Sequence, residues 1–325
     1  MIDIVAGLFL ALLSLAIVMT VIKLYKSKVT QSRHDGVPKA SSPSDSQLQA
    51  SRSLSHCHSS DCYRCSNNQG TLQTALTRLS YYAQDTRVVD GTVDSQNIAA
   101  DIKKSLERLK HPDKYSGDVF GSSPVVFKMS GLREDMLWSL NDFPALQLLE
   151  AQFRQVQTEF LNLYRSPLPE TKCLWKVNST DAGQWEIAQL FDQGRKTKAA
   201  ELCPLTAEIL KKIPYLISGN IFGDVSFSVV HPGTYIATHN GSTNCRIRCH
   251  LGLKVPGDDC VLHVGAQTCH WQEGKVLCFN DAYPHSVEHK GAERSSSLRA
   301  VFLLDLWHPD ITKAQKDILN YAFSA

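Results

Sequence analysis

From Asn244 onward, polar and apolar residues alternate strictly. Asn244, Arg246, Arg248, His250 and Gly252 fall on one side; Cys245, Ile247, Cys249, Leu251 and Leu253 fall on the other. A period of two is that of a β-strand with one side packed into a core. Comparable short runs surround it: Val225 to Val230, Thr234 to Thr238, Cys260 to Val264, Lys275 to Asn280 and Leu298 to Trp307, with the mostly apolar Trp185 to Phe191 ahead of them. Pro-Gly, Asn-Gly and Glu-Gly pairs punctuate these runs at hairpin distances. Many short strands without intervening helices predict a sandwich or barrel, closed by helices at one end.

The first half of the chain has a different period. Apolar residues recur at three and four from Leu72 to Ala83, from Ile98 to Leu109 and, most strongly, from Leu146 to Tyr164, which predicts three amphipathic helices. Glu201 to Ile213 reads as a short helix and Thr312 to Phe323 as a closing one. No fixed repeat period is present, which excludes a helical repeat array.

Ile4 to Ile22 is an uncharged apolar run long enough to cross a bilayer. Asp3 stands where a signal peptide carries basic residues, and Lys23-Leu-Tyr-Lys26 offers no small-residue cleavage site, so a retained single-span anchor is expected over a cleaved leader. Lys23, Lys26, Lys28 and Arg33 after the span favour a cytosolic domain, whereas the sequon Asn178-Ser-Thr180 favours a lumenal one. Ser27 to Asn68 is polar, with linker composition. The expected layout is a tail at 1–3, an anchor at 4–22, a Cys-containing stem at 23–70, a helical region at 71–166 and a β-rich domain at 167–325.

A chain of 325 residues with a net charge of +2 can bury one sizeable core, and it carries no basic tract of the kind that binds nucleic acid. Its ten cysteines include the cluster Cys57, Cys62 and Cys65, whose spacing is part of an iron–sulfur or zinc pattern without a fourth ligand; a disulfide or free thiols are the simpler reading. Cys245 and Cys249, on the apolar side of one strand, read as small buried hydrophobes.

The polar side of that strand concentrates cations and donors, and a guanidinium fork fits a planar carboxylate. His239 lies just upstream, and His285 follows the run at Phe279. The physical reading is a metal held by histidines beside a pocket for a small dianion. Arg246 reads as a structural group, pairing with a carboxylate at the barrel rim. A zinc hydrolase on the same histidines lacks an evident third ligand.

The pattern His239-x-Gly241-x-x-Asn244-x-Arg246-x-Arg248-x-His250-Leu-Gly-Leu253, followed by His285, Arg299 and Asp305-Leu-Trp-His-Pro309, resembles the aspartyl/asparaginyl beta-hydroxylase family. The resemblance is closest to its short members, which join one transmembrane span and a Cys-rich stem to the catalytic domain. It implies a mainly β fold: a double-stranded β-helix (jelly-roll) domain with flanking α-helices, preceded by a single transmembrane helix. It further implies iron(II), 2-oxoglutarate and O2 as cofactor and cosubstrates, and a protein or peptide substrate bearing Asp or Asn. His239 and His285 match the iron ligands. Arg248 and His250 match the grip on the C1 carboxylate side of 2-oxoglutarate; Arg299, assisted by Ser228, matches the grip on the distal carboxylate. The same resemblance implies a lumenal catalytic domain in the endoplasmic reticulum or endomembrane system, against the charge pattern around the span. Gly241 stands where the wider superfamily carries its ligating carboxylate. The family shares that gap, and Asp281, four residues before His285, is placed to approach the metal indirectly. A second reading keeps the barrel and the diacid pocket as a membrane-anchored binding module without turnover.

Overall fold

In the computed structural model, residues 68–82, 93–109, 121–178, 180–291 and 297–325 are described. The expected span Ile4 to Ile22, the stem and its cysteines lie outside them. Among the described residues, no helix is long and apolar enough to cross a membrane.

The described residues form twelve strands: β1 Leu137–Trp138, β2 Trp175–Asn178, β3 Trp185–Asp192, β4 Arg195–Lys196, β5 Val225–Val230, β6 Tyr235–His239, β7 Arg246–Lys254, β8 Cys260–Val264, β9 Gln267–Cys269, β10 Val276–Phe279, β11 His285–His289 and β12 Arg299–Trp307. They build two antiparallel sheets. One runs β1-β10-β7-β12-β5-β3-β2, with β4 on β3; the other runs β6-β11-β8-β9.

The pairing is nested. β5 pairs β12, β6 pairs β11, β7 pairs β10 and β8 pairs β9, which together describe one long hairpin with its tip between β8 and β9. Rolling that hairpin sets β7 against β12 and β8 against β11. From β5 to β8, and again from β9 to β12, successive strands therefore alternate between the sheets, with β8 and β9 paired at the tip, which is the jelly roll, or double-stranded β-helix. The expected mainly β architecture with flanking helices is the one observed.

Helices cover the outer face of the larger sheet. Phe153–Arg165 buries Val156, Phe160 and Leu163, spaced to share one helix face. Phe160 meets Phe227 of β5 with ring centroids 5.4 Å apart, and Phe227 meets Phe302 of β12 at 5.3 Å. Ile247, Cys249, Leu251 and Leu253 of β7 join this core, so the two cysteines are indeed buried small residues. Because β7 lies inside a sheet covered on both faces, its polar side is buried as well. A second cluster joins Leu72, Leu76 and Leu79 of the helix Asn68–Tyr82 to Ile318 and Leu319 of the closing helix Lys313–Ala322.

Two expected helices are each divided. The run from Leu146 kinks at Gln152 (φ −98°, ψ 16°), separating Leu146–Ala151 from Phe153–Arg165. The run from Glu201 yields Lys198–Glu201 and Pro204–Leu210, because Pro204 has no N–H and begins a new helix at its first position. Cys203, at the N-cap, makes no capping bond there. Glu159 supplies it from another helix, accepting from Leu205 N at 2.9 Å and Thr206 N at 2.8 Å. β9 and β11 were not evident in the residue pattern. Both are short, and their polar members (Gln267 and Thr268; His285, Ser286, Glu288 and His289) obscure the alternation.

Replacing Glu159 by Ala strands two backbone donors at the start of Pro204–Leu210. The expected loss is about 2 kcal/mol of stability, read from urea-unfolding midpoints. A change below about 0.5 kcal/mol would mean that water caps the helix equally well.

Candidate metal and diacid site

His239 ends β6 and His285 begins β11, and the two are direct cross-strand neighbours. Their ring centroids lie 4.1 Å apart. Each ring is oriented by the carbonyl two residues before it: His239 Nδ1 is 2.9 Å from Ala237 O, and His285 Nδ1 is 2.9 Å from Tyr283 O. A carbonyl only accepts, so both Nδ1 atoms carry a proton, and in a neutral ring the lone pair then falls on Nε2. Burial, then the neighbouring His239, pushes the His285 imidazole well below its usual range and keeps it neutral. Two imidazoles on adjacent strands, each oriented by a backbone carbonyl, fit a transition metal.

A Cβ at Gly241 would collide with the carboxylate of Asp281. The space beside the histidines is therefore already filled by a carboxylate from the loop before β11. That carboxylate is engaged elsewhere. Arg246 donates Nε to Asp281 Oδ1 at 3.2 Å and Nη2 to Oδ2 at 2.6 Å, and Arg248 Nη1 lies 3.3 Å from Oδ2. Although burial raises its proton affinity, the two guanidiniums hold Asp281 below the usual carboxylate range. Among the described residues, no three His, Cys, Asp or Glu side chains converge on one metal position.

Asp305 of β12 closes the network. It accepts from Arg248 Nε and Nη2 at 2.9 Å each and from Arg246 Nη1 at 3.1 Å. Arg246 is thus no rim residue: it is fully buried, because its side of β7 faces the barrel interior, where a cation is tolerated only when paired. Arg248, on the same side of β7, commits its Nε–Nη2 edge to Asp305.

The remaining predicted residues, Arg299, Ser228 and His250, are brought together through Trp271. Arg299 is 2% exposed, and its Nη1 lies 3.3 Å from Ser228 O and 3.4 Å from Ser228 Oγ. Its guanidinium stacks 4.7 Å from the ring centre of Trp271, and its Nε has no hydrogen-bond partner. Among the described residues no carboxylate pairs with it, and burial lowers its proton affinity. Trp271 Nε1 in turn donates to His250 Nδ1 at 3.2 Å, and His250 Nε2 is buried without a partner. Burial, then Arg299 and Arg248, hold the His250 ring neutral. Phe279 joins the two ends, edge-on to His250 at 5.1 Å and to His285 at 5.6 Å.

One contiguous path therefore runs from the histidine pair through Phe279, His250 and Trp271 to Arg299 and Ser228. Arg299 has the Cys260 thiol as a further neighbour but no described carboxylate, and its Nε and His250 Nε2 are buried without a partner, which leaves this end of the path short of acceptors. Trp271 and Phe279 were not predicted as site residues. Neither carries a local signal, since their roles depend on which strand lies opposite. Asp305 entered only as part of a motif.

A jelly roll with two adjacent histidines and a buried arginine that no described carboxylate answers is the class of protein that this fold and site define. The family profile described as Aspartyl/Asparaginyl beta-hydroxylase matches residues 150–309. Aspartate beta-hydroxylase domain-containing protein 2 of Xenopus tropicalis is 32% identical over 282 residues, covering 83% of this chain and 71% of that protein. The human protein of the same name is 32% identical over 280 residues, covering 83% and 70%. Human aspartyl/asparaginyl beta-hydroxylase is 33% identical over 199 residues, which are 59% of this chain and 25% of that protein. Among solved structures, a Pseudomonas putida prolyl-4-hydroxylase aligns at 13% identity with a TM-score of 0.32, over 48% of this chain and 87% of that one. The chain belongs to the aspartyl/asparaginyl beta-hydroxylase family.

Replacing Arg246 by Met leaves Asp281 and Asp305 to share one guanidinium. The expected cost is on the order of 3 kcal/mol, measured by chemical denaturation. Acid should act through His250 and His285. Their folded-state proton affinities are depressed, so the unfolded chain takes up protons first, near the ordinary imidazole value of about 6.5. The stability they contribute to the metal-free protein is complete above that pH and is lost as pH falls below it. Thermal midpoints that stay flat from about pH 7 to about pH 5 would contradict this.

Proposed function

We propose that the chain is an iron(II)- and 2-oxoglutarate-dependent dioxygenase that hydroxylates the β-carbon of aspartyl or asparaginyl residues in a protein or peptide. The observation that carries this reading is a chain of contacts from two adjacent, backbone-oriented imidazoles through Phe279, His250 and Trp271 to a buried guanidinium that no described carboxylate answers. Family membership supports the hydroxylase chemistry.

His239 and His285 would hold the metal through Nε2, their Nδ1 protons tied to backbone carbonyls. Iron(II), when bound, supplies the redox chemistry by which O2 and the 2-oxo acid become succinate, carbon dioxide and one hydroxyl group on the substrate. The protein's own part is binding and exclusion of water. Arg299 and Ser228 meet one carboxylate of the cosubstrate, and His250 Nε2–H meets the other end. Arg248, already partly neutralised by Asp305, contributes orientation more than net charge. Asp281 fills the space beside Gly241, so His239 and His285 would be the residues that hold the metal.

The second reading, a binding module without turnover, draws on that same missing carboxylate. Anaerobic titration with iron(II) and 2-oxoglutarate, followed by O2, separates the two. Succinate that forms in the parent protein and is lost in both His239→Ala and His285→Ala supports the enzyme. Diacid binding without succinate supports the module. Mass spectrometry for a gain of one oxygen atom on candidate proteins would identify the substrate.

For location, we propose a single-pass protein of the endomembrane system, anchored through Ile4 to Ile22, with a lumenal catalytic domain. Asn178 ends the edge strand β2 and is half-buried. Glycan mapping at Asn178 tests the orientation.

A further inference from the structure

The unmatched groups of the pocket share a property. His250 Nε2 and Arg299 Nε have no partner, and both are hydrogen-bond donors once the His250 tautomer is settled. Trp271 settles it. An indole N–H only donates, so the 3.2 Å bond from Trp271 Nε1 requires a lone pair on His250 Nδ1 and places the proton on Nε2. The same indole stacks on the Arg299 guanidinium at 4.7 Å, which fixes the plane of that group. One buried side chain thus orients both ends of the anion pocket.

Ser228 is treated in the same way by a second indole. Its Oγ accepts from Trp185 Nε1 at 3.0 Å and lies 3.4 Å from Arg299 Nη1. Neither neighbour can accept, so the hydroxyl proton has no acceptor among the described residues and is left for a ligand. His250, Arg299 and Ser228 then all present protons.

We propose that Trp271 is the positioning residue of the pocket: it holds His250 in the Nε2–H tautomer and, with Trp185 acting on Ser228, leaves a ligand facing donors only, so that the site takes dicarboxylates and refuses their monoamides. This rests on the dioxygenase reading for the identity of the diacid, but the tautomer does not. A carboxylate offers acceptors to every one of these groups. An amide nitrogen at either end sets N–H against N–H, and a buried donor that meets another donor loses its hydrogen bond outright. Trp271→Phe keeps a smaller aromatic ring beside Arg299 while removing the indole N–H. Trp185→Phe likewise frees the Ser228 hydroxyl to accept.

Nitrogen-15 NMR of the full-length protein, with His250→Gln used to assign the ring, reads the tautomer directly. The parent protein should show Nε2–H, and W271F a shift toward Nδ1–H. Calorimetry with 2-oxoglutarate and with its 5-amide, both in the presence of manganese(II), should show about a tenfold loss of 2-oxoglutarate affinity in W271F, the size expected for one hydrogen bond to a charged group. The discrimination against the amide should shrink about tenfold in W185F on the same grounds. Manganese(II) affinity in the absence of diacid should be unchanged in both variants; a merely structural loss would lower it together with diacid binding. An Nδ1–H tautomer in the parent protein overturns the proposal, even if W271F does not fold. So does a W271F protein whose tautomer and diacid affinity match the parent. A parent protein that shows the Nε2–H tautomer but binds no 2-oxoglutarate overturns the dioxygenase reading and leaves the positioning role standing.

Discussion

The interior of this barrel is organised around a buried quartet of charges: Arg246 and Arg248 from β7, Asp305 from β12 and Asp281 from the loop before β11. Removing four charged groups from water is costly, and in a low-dielectric interior only close, multiply hydrogen-bonded pairing offsets it. The geometry here meets that condition, with forked contacts from Arg246 to Asp281 and from Arg248 to Asp305. The network therefore holds the two ends of the rolled hairpin in one register. A slip of one residue in β7 would turn both guanidiniums into the helix-packed core. It also dictates Gly241, because the Asp281 carboxylate occupies the volume that any side chain there would need.

Against this neutralised quartet, the other end of the cavity is unbalanced. Arg299 is as deeply buried as Arg246, yet no described carboxylate answers it. Native interiors rarely leave a charge or an N–H unmatched, and that imbalance is what the proposed diacid pocket rests on. Two arginines on neighbouring strands thus differ in one respect that residue type alone does not show: carboxylates answer Arg246 and no described carboxylate answers Arg299.

The histidine pair shows how local backbone and long-range topology divide the work. Each imidazole is oriented by a carbonyl only two residues away, a purely local device. Their proximity, by contrast, comes from the pairing of β6 with β11, forty-six residues apart in the chain (239 to 285). The rolled hairpin brings together strands whose sequence separation grows with distance from the tip. It gathers a site from scattered positions without needing long loops.

Much of this was legible beforehand. The alternation from Asn244 to Leu253 identified β7 and both of its faces, and the spaced histidines and arginines pointed to the family, because period and residue type are local properties. The helix ends were less legible: Pro204 is a local signal, but its cap, Glu159, comes from another helix. What the residues could not disclose was pairing. That Arg246 is a core residue and not a rim one, that Asp281 fills the place of an absent side chain, and that Trp271 touches both His250 and Arg299 all depend on which strands lie across from one another. Only the folded barrel decides that, since a hydrogen-bond partner is chosen by distance in space.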